Sequence, residues 1–270
     1  MMNVVLSGSF DDLRFPQVRL LHEASRLGSV HVLLWSDEMI RAAGGTTPQF
    51  SQEERRYFLS GLRYVNQVTL MRGDLNRDEV PALADPQLWV VEAAEDNPQK
   101  RAFCKKLGLA YRVLNPADLT DFPLDPVVTS PDPTRKKVIV TGCFDWLHSG
   151  HVRFFEEVSE LGDLYVAVGS DANVELLKGK GHPLFNQDHR RYMVQSIRFV
   201  TQALVTTGSG WMDAAPEIAR IKPDIYAVNE DGDKPEKRAF CQDNGLEYVV
   251  LKRVPKDGLP RRESTALRGF

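Results

Sequence analysis

The sequence predicts an α/β protein in which two similar domains follow one another, each built on a parallel β-sheet. Three observations predict it: a length of 270 residues, an internal repeat, and short β-branched runs that alternate with amphipathic helical stretches. A chain of this length is more often divided between two domains than folded as one. Strands that alternate with helices are typical of a parallel sheet with helices on both faces.

The internal repeat comprises three blocks that occur in the same order in both halves of the chain. Residues 8–37 align without a gap onto 142–171, residues 48–67 onto 183–202, and residues 98–114 onto 235–251. Three collinear blocks exclude a chance match for practical purposes, so we expect both halves to have one fold.

A proline-rich stretch separates the two copies. Five prolines fall within residues 115–137, and prolines at this density exclude a regular helix or strand. We therefore predict a first domain over 1–120, an extended linker over 121–134, and a second domain over 135–270.

The second copy shows the order of elements most clearly. "KKVIVTG" is typical of a buried parallel strand, and the helical pattern "HVRFFEEVSELG" follows it, with Gly162 placed to end that helix as a C-cap. A second strand is predicted in "LYVAVGSD" and a second helix, capped by Asn186, in "NQDHRRYMVQSIRFV". The remaining elements alternate in the same way: "ALVTT", "WMDAAPEIARIKP", "DIYAVNED", "KPEKRAFCQDNG" and "EYVVL". Right-handed crossovers make each copy a Rossmann-like domain, in which ligands bind beyond the carboxyl ends of the strands.

The composition excludes several classes of protein. A net charge of −3 argues against a general nucleic-acid binder. No apolar run approaches the roughly 18 residues of a membrane span, and the first residues, "MMNVVLSGSFDD", lack the pattern of a secretory signal. The three cysteines, Cys104, Cys143 and Cys241, are odd in number and lack metal-binding spacing, which fits a reducing cytoplasm.

A pair of histidines marks the candidate site. His148 and His151 stand in the turn "TGCFDWLHSGH", where the first strand of the second copy passes into its first helix. Residues three apart at a helix start face one side, and free N–H groups there favour a phosphate. Gly150 lets the backbone approach a ligand closely. A structural histidine pair is one alternative; a zinc site is another, but no third or fourth ligand accompanies the pair.

The motifs of the second copy resemble a known superfamily. "HSGH" after "GCFD", then "ELGDLYVAVGSD" and "LKGKGHP", are similar to the HxGH nucleotidyltransferases. The glycerol-3-phosphate and ethanolamine-phosphate cytidylyltransferases are most similar, and the adenylyltransferase domain of the heptose-phosphate enzymes nearly as much. The resemblance implies transfer of a nucleotidyl group from CTP to a phosphorylated small alcohol or sugar with release of pyrophosphate, or, alternatively, from ATP to a heptose-phosphate-type acceptor.

The resemblance also implies which residues form the site. His148, His151 and Lys178 would be catalytic, acting by charge neutralisation and alignment, since a phosphate nucleophile needs no general base. The nucleotide would be bound by Gly142, Cys143, Phe144, Gly150, Lys180, Arg190, Arg198, Asp231, Ser264, Thr265 and Arg268. The last three lie in "ESTALRGF", where Arg261 and Arg262 stand closer to the Ser-Thr pair than the arginine of the cytidylyltransferases does. For Cys143 a small buried side chain is favoured over a reactive thiol. No protein metal site is expected, and Mg²⁺ would be held through the triphosphate.

The first copy lacks these features. Arg14 and Gln17 stand where the second copy has His148 and His151, and no Ser-Thr pair follows Leu114. We therefore expect the first domain to keep the fold without the chemistry, either as the partner of an intramolecular pseudo-dimer or as a regulatory pocket; a homodimer of the whole chain is also open. A non-catalytic nucleotide-binding scaffold is the alternative for the whole protein.

Overall fold

The computed structural model describes residues 2–44, 47–73, 76–123 and 132–263. The chain forms two compact units, Met1–Asp121 and Phe122–Phe270. Part of the predicted linker, residues 124–131, lies outside the described residues. No helix in the described ranges is long and apolar enough to cross a membrane.

In its described residues, the first unit is a five-stranded parallel sheet with four α-helices. Its elements are β1 (Asn3–Gly8), α1 (Phe15–Ser25), β2 (Ser29–Trp35), α2 (Asp37–Gly44), α3 (Gln52–Ser60), β3 (Gln67–Met71), β4 (Leu88–Glu92), α4 (Pro98–Leu107) and β5 (Ala110–Leu114). The strand order is β3-β2-β1-β4-β5, and each neighbouring pair is parallel. Short 3₁₀ turns at Ala82–Ala84, Ala93–Glu95 and Pro116–Leu119 complete the unit.

The second unit has the same architecture. Its elements are β6 (Lys137–Gly142), α5 (Ser149–Ser159), β7 (Asp163–Val168), α6 (Asp171–Lys178), α7 (Gln187–Gln195), β8 (Gln202–Val205), α8 (Ala215–Ile221), β9 (Ile225–Asn229), α9 (Pro235–Asp243) and β10 (Glu247–Leu251). The order β8-β7-β6-β9-β10 repeats that of the first unit, again with parallel pairs. The predicted α/β class with Rossmann-like parallel sheets is thereby confirmed.

The core of the second unit follows from its continuous apolar strands. The central residues of β6 and most of β7 are fully buried, because helices cover both faces of the sheet. Ile139, Tyr165 and Tyr226 form part of the cluster on one face, together with Ala214 and Ile218 from the α8 region. This packing fixes the carboxyl ends of β6 and β9, from which the candidate site is built.

The two predictions about helix ends had different outcomes. Asn186 caps α7 as predicted, since its side chain accepts a hydrogen bond of 2.8 Å from the main-chain N–H of His189. The prediction that Gly162 is a C-cap was wrong: α5 ends at Ser159, and Glu160 follows it in right-handed helical geometry. A side chain at Gly162 would instead collide with the main-chain carbonyl of Lys136. Glycine serves close backbone approach here, which a helical pattern alone does not distinguish from capping.

Candidate active site

The site begins at the tight turn between β6 and α5. Phe144 in that turn has a positive φ of 52°, and its ring folds back over Gly142. A Cβ atom on Gly142 would lie 2.8 Å from Cζ of Phe144, so the end of the strand must be a glycine. The Phe144 ring also packs against His151, with 5.4 Å between the ring centroids. The turn therefore positions one of the two histidines through an aromatic contact.

His148 is the N-cap of α5. Its backbone is extended, and its Nδ1 accepts a hydrogen bond of 3.1 Å from the main-chain N–H of Gly150. Because Nδ1 is an acceptor, a neutral imidazole carries its proton on Nε2. That Nε2 is buried and has no hydrogen-bond partner among the described residues. A buried N–H donor without a partner is costly and indicates a ligand group that accepts from it.

His151 completes the cap from the third position of the helix. Its Nδ1 accepts from the main-chain N–H of His148 at 3.4 Å, which closes a reciprocal capping box. The two imidazole rings lie 4.0 Å apart between centroids. By the same argument as for His148, the proton of a neutral His151 is on Nε2. Both rings thus turn Nε2–H donors away from the backbone that holds them.

Both histidines are neutral at physiological pH. Burial lowers the pKa of His148 far below the ordinary value, and the neighbouring His151, Arg253 and Arg262 lower it further. Burial, together with the charges of Arg253 and Lys178, lowers the pKa of His151 to about 3. The pair therefore contributes oriented hydrogen-bond donors and no positive charge, which must come from lysine and arginine side chains.

A cleft of about 220 Å³ opens in front of this pair at the carboxyl ends of β6 and β9. Eight of the predicted site residues line it: Gly142, Cys143, Phe144, His148, Gly150, His151, Lys178 and Asp231. Burial raises the pKa of the Cys143 thiol, so the thiol that lines the cleft is protonated and unreactive at neutral pH. Asp231 forms an ion pair of 2.9 Å with Arg253.

Arg190 lies beneath the cleft and does not line it. The guanidinium is 1% exposed and donates to the main-chain carbonyls of Phe185 (2.8 Å) and Cys143 (2.7 Å) and to Asp171 (2.7 Å). Arg55 makes the same three kinds of contact in the first unit, to Phe50, Ser9 and Asp37. The structure therefore gives Arg190 a supporting role and brings no part of it to the cleft.

Two other predicted residues also lie away from the cleft. Lys180 is in the exposed turn after α6 and is not among the lining residues. Arg198 follows α7 and precedes β8, so it lies near the amino end of a parallel strand, whereas His148 follows the carboxyl end of β6. These are opposite edges of the sheet, and a pattern match cannot reveal which edge a helix end reaches. Ser264, Thr265 and Arg268 lie outside the described residues.

Sequence reasoning missed nine of the residues that line the cleft, among them Thr141, Asn229, Lys237 and Arg253. Arg253 follows β10 and donates to the main-chain carbonyl of Arg262 at 2.7 Å, besides its bond to Asp231. Comparison of the two copies could have indicated Arg253, because the equivalent residue of the first copy is Pro116. Thr141 shares a hydrogen bond of 2.7 Å with the Tyr226 hydroxyl, which orients it at the end of β6.

The first unit keeps the cap geometry without the imidazoles. Arg14 occupies the N-cap position of α1, and its main-chain N–H donates to Gln17 Oε1 at 3.1 Å. The Arg14 guanidinium forms an ion pair of 2.5 Å with Asp12. A charged side chain therefore occupies the position of His148, and the neutral Gln17 occupies that of His151.

The cleft offers no ready cage for a metal ion. Within the ranges that the structure describes, no group of three or more His, Cys, Asp or Glu side chains could hold one. The side chains that line the cleft are mainly cations and neutral donors, with Asp231 and Asp145 as the carboxylates. Asp145 is already engaged, because it accepts from the main-chain N–H groups of Leu184 and Phe185 at 2.8 and 3.0 Å.

Comparison with known proteins agrees with this geometry. The family described as cytidylyltransferase-like matches residues 139–240, within the second unit. The FAD synthase of Aciduliprofundum boonei is 37% identical over 119 residues, which are 43% of this chain and 76% of that protein. The FAD synthase of Ferroglobus placidus is 40% identical over 120 residues, 43% of this chain and 75% of that protein. The bifunctional protein HldE of Campylobacter concisus is 38% identical over 99 residues, 36% of this chain and only 20% of that longer protein.

These relatives and the matched family share the nucleotidyltransferase class that the histidine pair, the helix cap and the cationic cleft indicate. The matches to the two FAD synthases cover three quarters of their length at well above 30% identity. The chain therefore belongs to the cytidylyltransferase-like nucleotidyltransferases.

Proposed function

We propose that the second unit transfers a nucleotidyl group from a nucleoside triphosphate to the phosphate of a small molecule and releases pyrophosphate. The observation that carries the proposal is the buried Nε2–H of His148, which has no partner among the described residues and lies at the N-terminus of α5 beside His151. A helix N-terminus with donors of this kind fits the α-phosphate of a nucleotide.

The proposed reaction needs no general base. An acceptor phosphate oxygen, already ionised at neutral pH, attacks the α-phosphorus; a new P–O bond forms, and the bond from the α-phosphorus to the bridging oxygen breaks as pyrophosphate leaves. His148 and His151 would donate hydrogen bonds to the oxygens on which negative charge increases. Lys178 and Arg253 would neutralise the leaving group, because both line the cleft and lower the pKa of His151 through their charge.

Magnesium fits this proposal as a companion of the triphosphate. The donor set of the cleft is poor in free carboxylates, and Mg²⁺ commonly binds through substrate phosphates with few protein ligands. When bound, it would add charge neutralisation to that supplied by Lys178 and Arg253. Five of the predicted nucleotide-binding residues would line the binding site: Gly142, Cys143, Phe144, Gly150 and Asp231. Arg190 would support the turn beneath that site.

For the nucleotide we propose ATP, with CTP as the second candidate. FAD synthase is named for an adenine dinucleotide, and two such relatives align over most of their length. CTP is favoured by the resemblance of the "GCFD" and "HSGH" motifs to cytidylyltransferases and by the description of the matching family. The acceptor would be a phosphorylated small molecule, with a phosphorylated flavin as the first to test and alcohol and sugar phosphates next.

The test is pyrophosphate release by the full chain, with ATP or CTP offered in turn with a flavin mononucleotide, a panel of sugar phosphates and a panel of alcohol phosphates. We expect turnover with one nucleotide and a loss of about 10²–10³ in kcat for His148→Ala or His151→Ala. Turnover with neither nucleotide on any acceptor would favour the binding scaffold instead. A loss of less than threefold in an active enzyme would remove the histidines from the mechanism.

A further inference from the structure

Lys237 of α9 lines the cleft and has a close equivalent in the first unit. Its Nζ lies 5.9 Å from the centroid of the Tyr226 ring, and the Nζ of Lys100 lies 5.9 Å from the centroid of the Trp89 ring. Both lysines stand in the first turn of the helix that precedes the last strand of their unit. The two units thus place an ammonium group in the same way over an aromatic side chain.

The surroundings of the two lysines are also the same. In each unit an aspartate accepts from an arginine on the same helix, at 2.9 Å, and from a tyrosine hydroxyl on the next strand. The members are Asp96, Arg101 and Tyr111 in the first unit and Asp233, Arg238 and Tyr248 in the second. Because the surrounding contacts are the same in both units, a difference between the two lysines points to a difference in their function.

The difference lies in the partner of the ammonium group. Lys100 donates to the main-chain carbonyl of Glu95 at 2.6 Å, and its Nζ is 3.4 Å from the Glu95 carboxylate. The second unit has a 3₁₀ turn at Glu230–Gly232 that corresponds to Ala93–Glu95, and Gly232 at its end is the equivalent of Glu95. For Lys237 the described residues provide no hydrogen bond and no ion pair to the ammonium group. A Cβ atom on Gly232 would lie 3.9 Å from Lys237 Nζ, so the missing side chain leaves the ammonium open to the cleft.

An ammonium group in this position needs an anion. Lys237 is half-buried, and burial, followed by the charge of Lys234, lowers the pKa of its side chain. A partly desolvated charge without a partner destabilises the protein until a ligand supplies the opposite charge. The charges of Asp231 and Asp213 act on Lys237 from a distance, but Asp231 is paired with Arg253 and neither carboxylate forms a hydrogen bond or ion pair with the ammonium group among the described residues.

We infer that Lys237 binds a phosphate oxygen of a substrate in the cleft and that the glycine at position 232 is what frees it to do so. The inference rests on the proposed function for the identity of the anion. The phosphate belongs either to the nucleotide or to the acceptor, and the experiment separates the two sources.

The test compares Lys237→Met with Lys234→Met in the full chain. Methionine keeps an unbranched side chain of similar length and removes the ammonium group, while Lys234 is exposed, is the N-cap of the same helix and does not line the cleft. Calorimetry with inorganic pyrophosphate, Mg-ATP, Mg-CTP and flavin mononucleotide follows binding without requiring turnover. We expect Lys237→Met to weaken binding of one of these at least about tenfold and Lys234→Met to change none.

The outcomes separate the inference from the proposed function. Weakened nucleotide or pyrophosphate binding assigns the phosphate to the nucleotide, and weakened acceptor binding alone assigns it to the acceptor. If wild type binds these anions and Lys237→Met binds them equally well, the inference is wrong even though the enzyme is active. If wild type binds pyrophosphate through Lys237 but never turns over, the proposed function fails and the inference stands.

A second variant tests the role of position 232. Gly232→Glu introduces the residue found in the first unit, and the space around Gly232 admits a side chain because the nearest atom to its Cβ would be 3.8 Å away. We expect the new carboxylate to engage Lys237 and to weaken phosphate binding in the same direction as Lys237→Met. In a Lys237→Met background the effect of Gly232→Glu should be clearly smaller. Equal effects in both backgrounds would overturn the assigned pairing.

Discussion

A Cβ atom on Gly150 would lie 2.9 Å from Cε1 and 3.0 Å from Nδ1 of His148. The imidazole has room for only a small shift, because His148 is 3% exposed and its Nδ1 accepts a hydrogen bond from the main-chain N–H of Gly150. The glycine between the two histidines is therefore a geometric requirement for the position of the first one.

Gly150→Ala should consequently lower kcat by about 10- to 100-fold, since a shift of a fraction of an ångström misplaces the Nε2–H donor. The free energy of unfolding should stay level or fall slightly, because the close contact with the buried imidazole offsets the better helix propensity of alanine, which is worth about 0.5–1 kcal/mol. Steady-state kinetics and urea denaturation on the same sample check both. Full activity would mean that the reaction does not depend on where His148 is held.

The second unit should lose stability in acid because of its buried neutral histidines. The pKa of His148 is lower in the folded protein than in the unfolded chain, so the unfolded chain binds more protons below about pH 6.5. His148 alone should cost up to about 1.4 kcal/mol of stability per pH unit below that value, and nothing above it. Denaturant unfolding at pH 7.5, 6.0 and 5.0 measures this.

His148→Gln is the control for that measurement. Buried His31 in the first unit also has a lowered pKa and adds to the acid sensitivity of the whole chain. The difference between wild type and His148→Gln isolates the contribution of His148. Parallel pH dependences of the two proteins would show that His148 is not held neutral by burial.

Arg190 should contribute to stability more than to binding. Arg190→Lys keeps the positive charge but loses the planar set of donors that reaches Cys143, Phe185 and Asp171, so we expect a loss of about 2–4 kcal/mol in the second unit. Denaturant unfolding of Arg190→Lys and of the matched Arg55→Lys should show similar losses. If Arg190→Lys left stability unchanged and weakened nucleotide binding, Arg190 would be a substrate-binding residue after all.

Arg198→Ala should leave nucleotide affinity within about twofold of wild type. The residue lies at the amino edge of the sheet, and the cleft is at the carboxyl edge. Calorimetric titration of Mg-ATP or Mg-CTP into Arg198→Ala checks this, with Arg253→Ala as the positive comparison. A tenfold loss of nucleotide affinity in Arg198→Ala would contradict this expectation and show that Arg198 contributes to nucleotide binding.

Sequence patterns predicted the fold well because local signals and topology agree in it. The strand–helix alternation determined a parallel sheet in each unit, and the position of His148 and His151 at a helix start followed from the turn "GCFDWLHSGH". The charge state of the histidines could not be predicted, because it depends on burial and on Arg253, which is about 100 residues away in the sequence.

Single positions were harder to predict where one residue type serves several purposes. Arg190 and Arg198 lie on the same stretch, yet one supports the turn from below and the other leaves the site altogether. Lys237 gave no signal of its own, because the equivalent Lys100 is present in the first copy. Only the structure shows that the two lysines differ in their partners.

The neutrality of the imidazole pair divides the work of the cleft between two kinds of group. The charge resides on side chains such as Lys178, which is exposed at the end of α6, whereas the oriented donors are buried at the start of α5. Dissolved ions screen the interactions of exposed charges over distances beyond the Debye length, which is about 8 Å at 0.15 M ionic strength. Buried dipoles are screened much less. Raising the ionic strength should therefore weaken capture of the substrate while leaving the rate of the bound complex nearly unchanged.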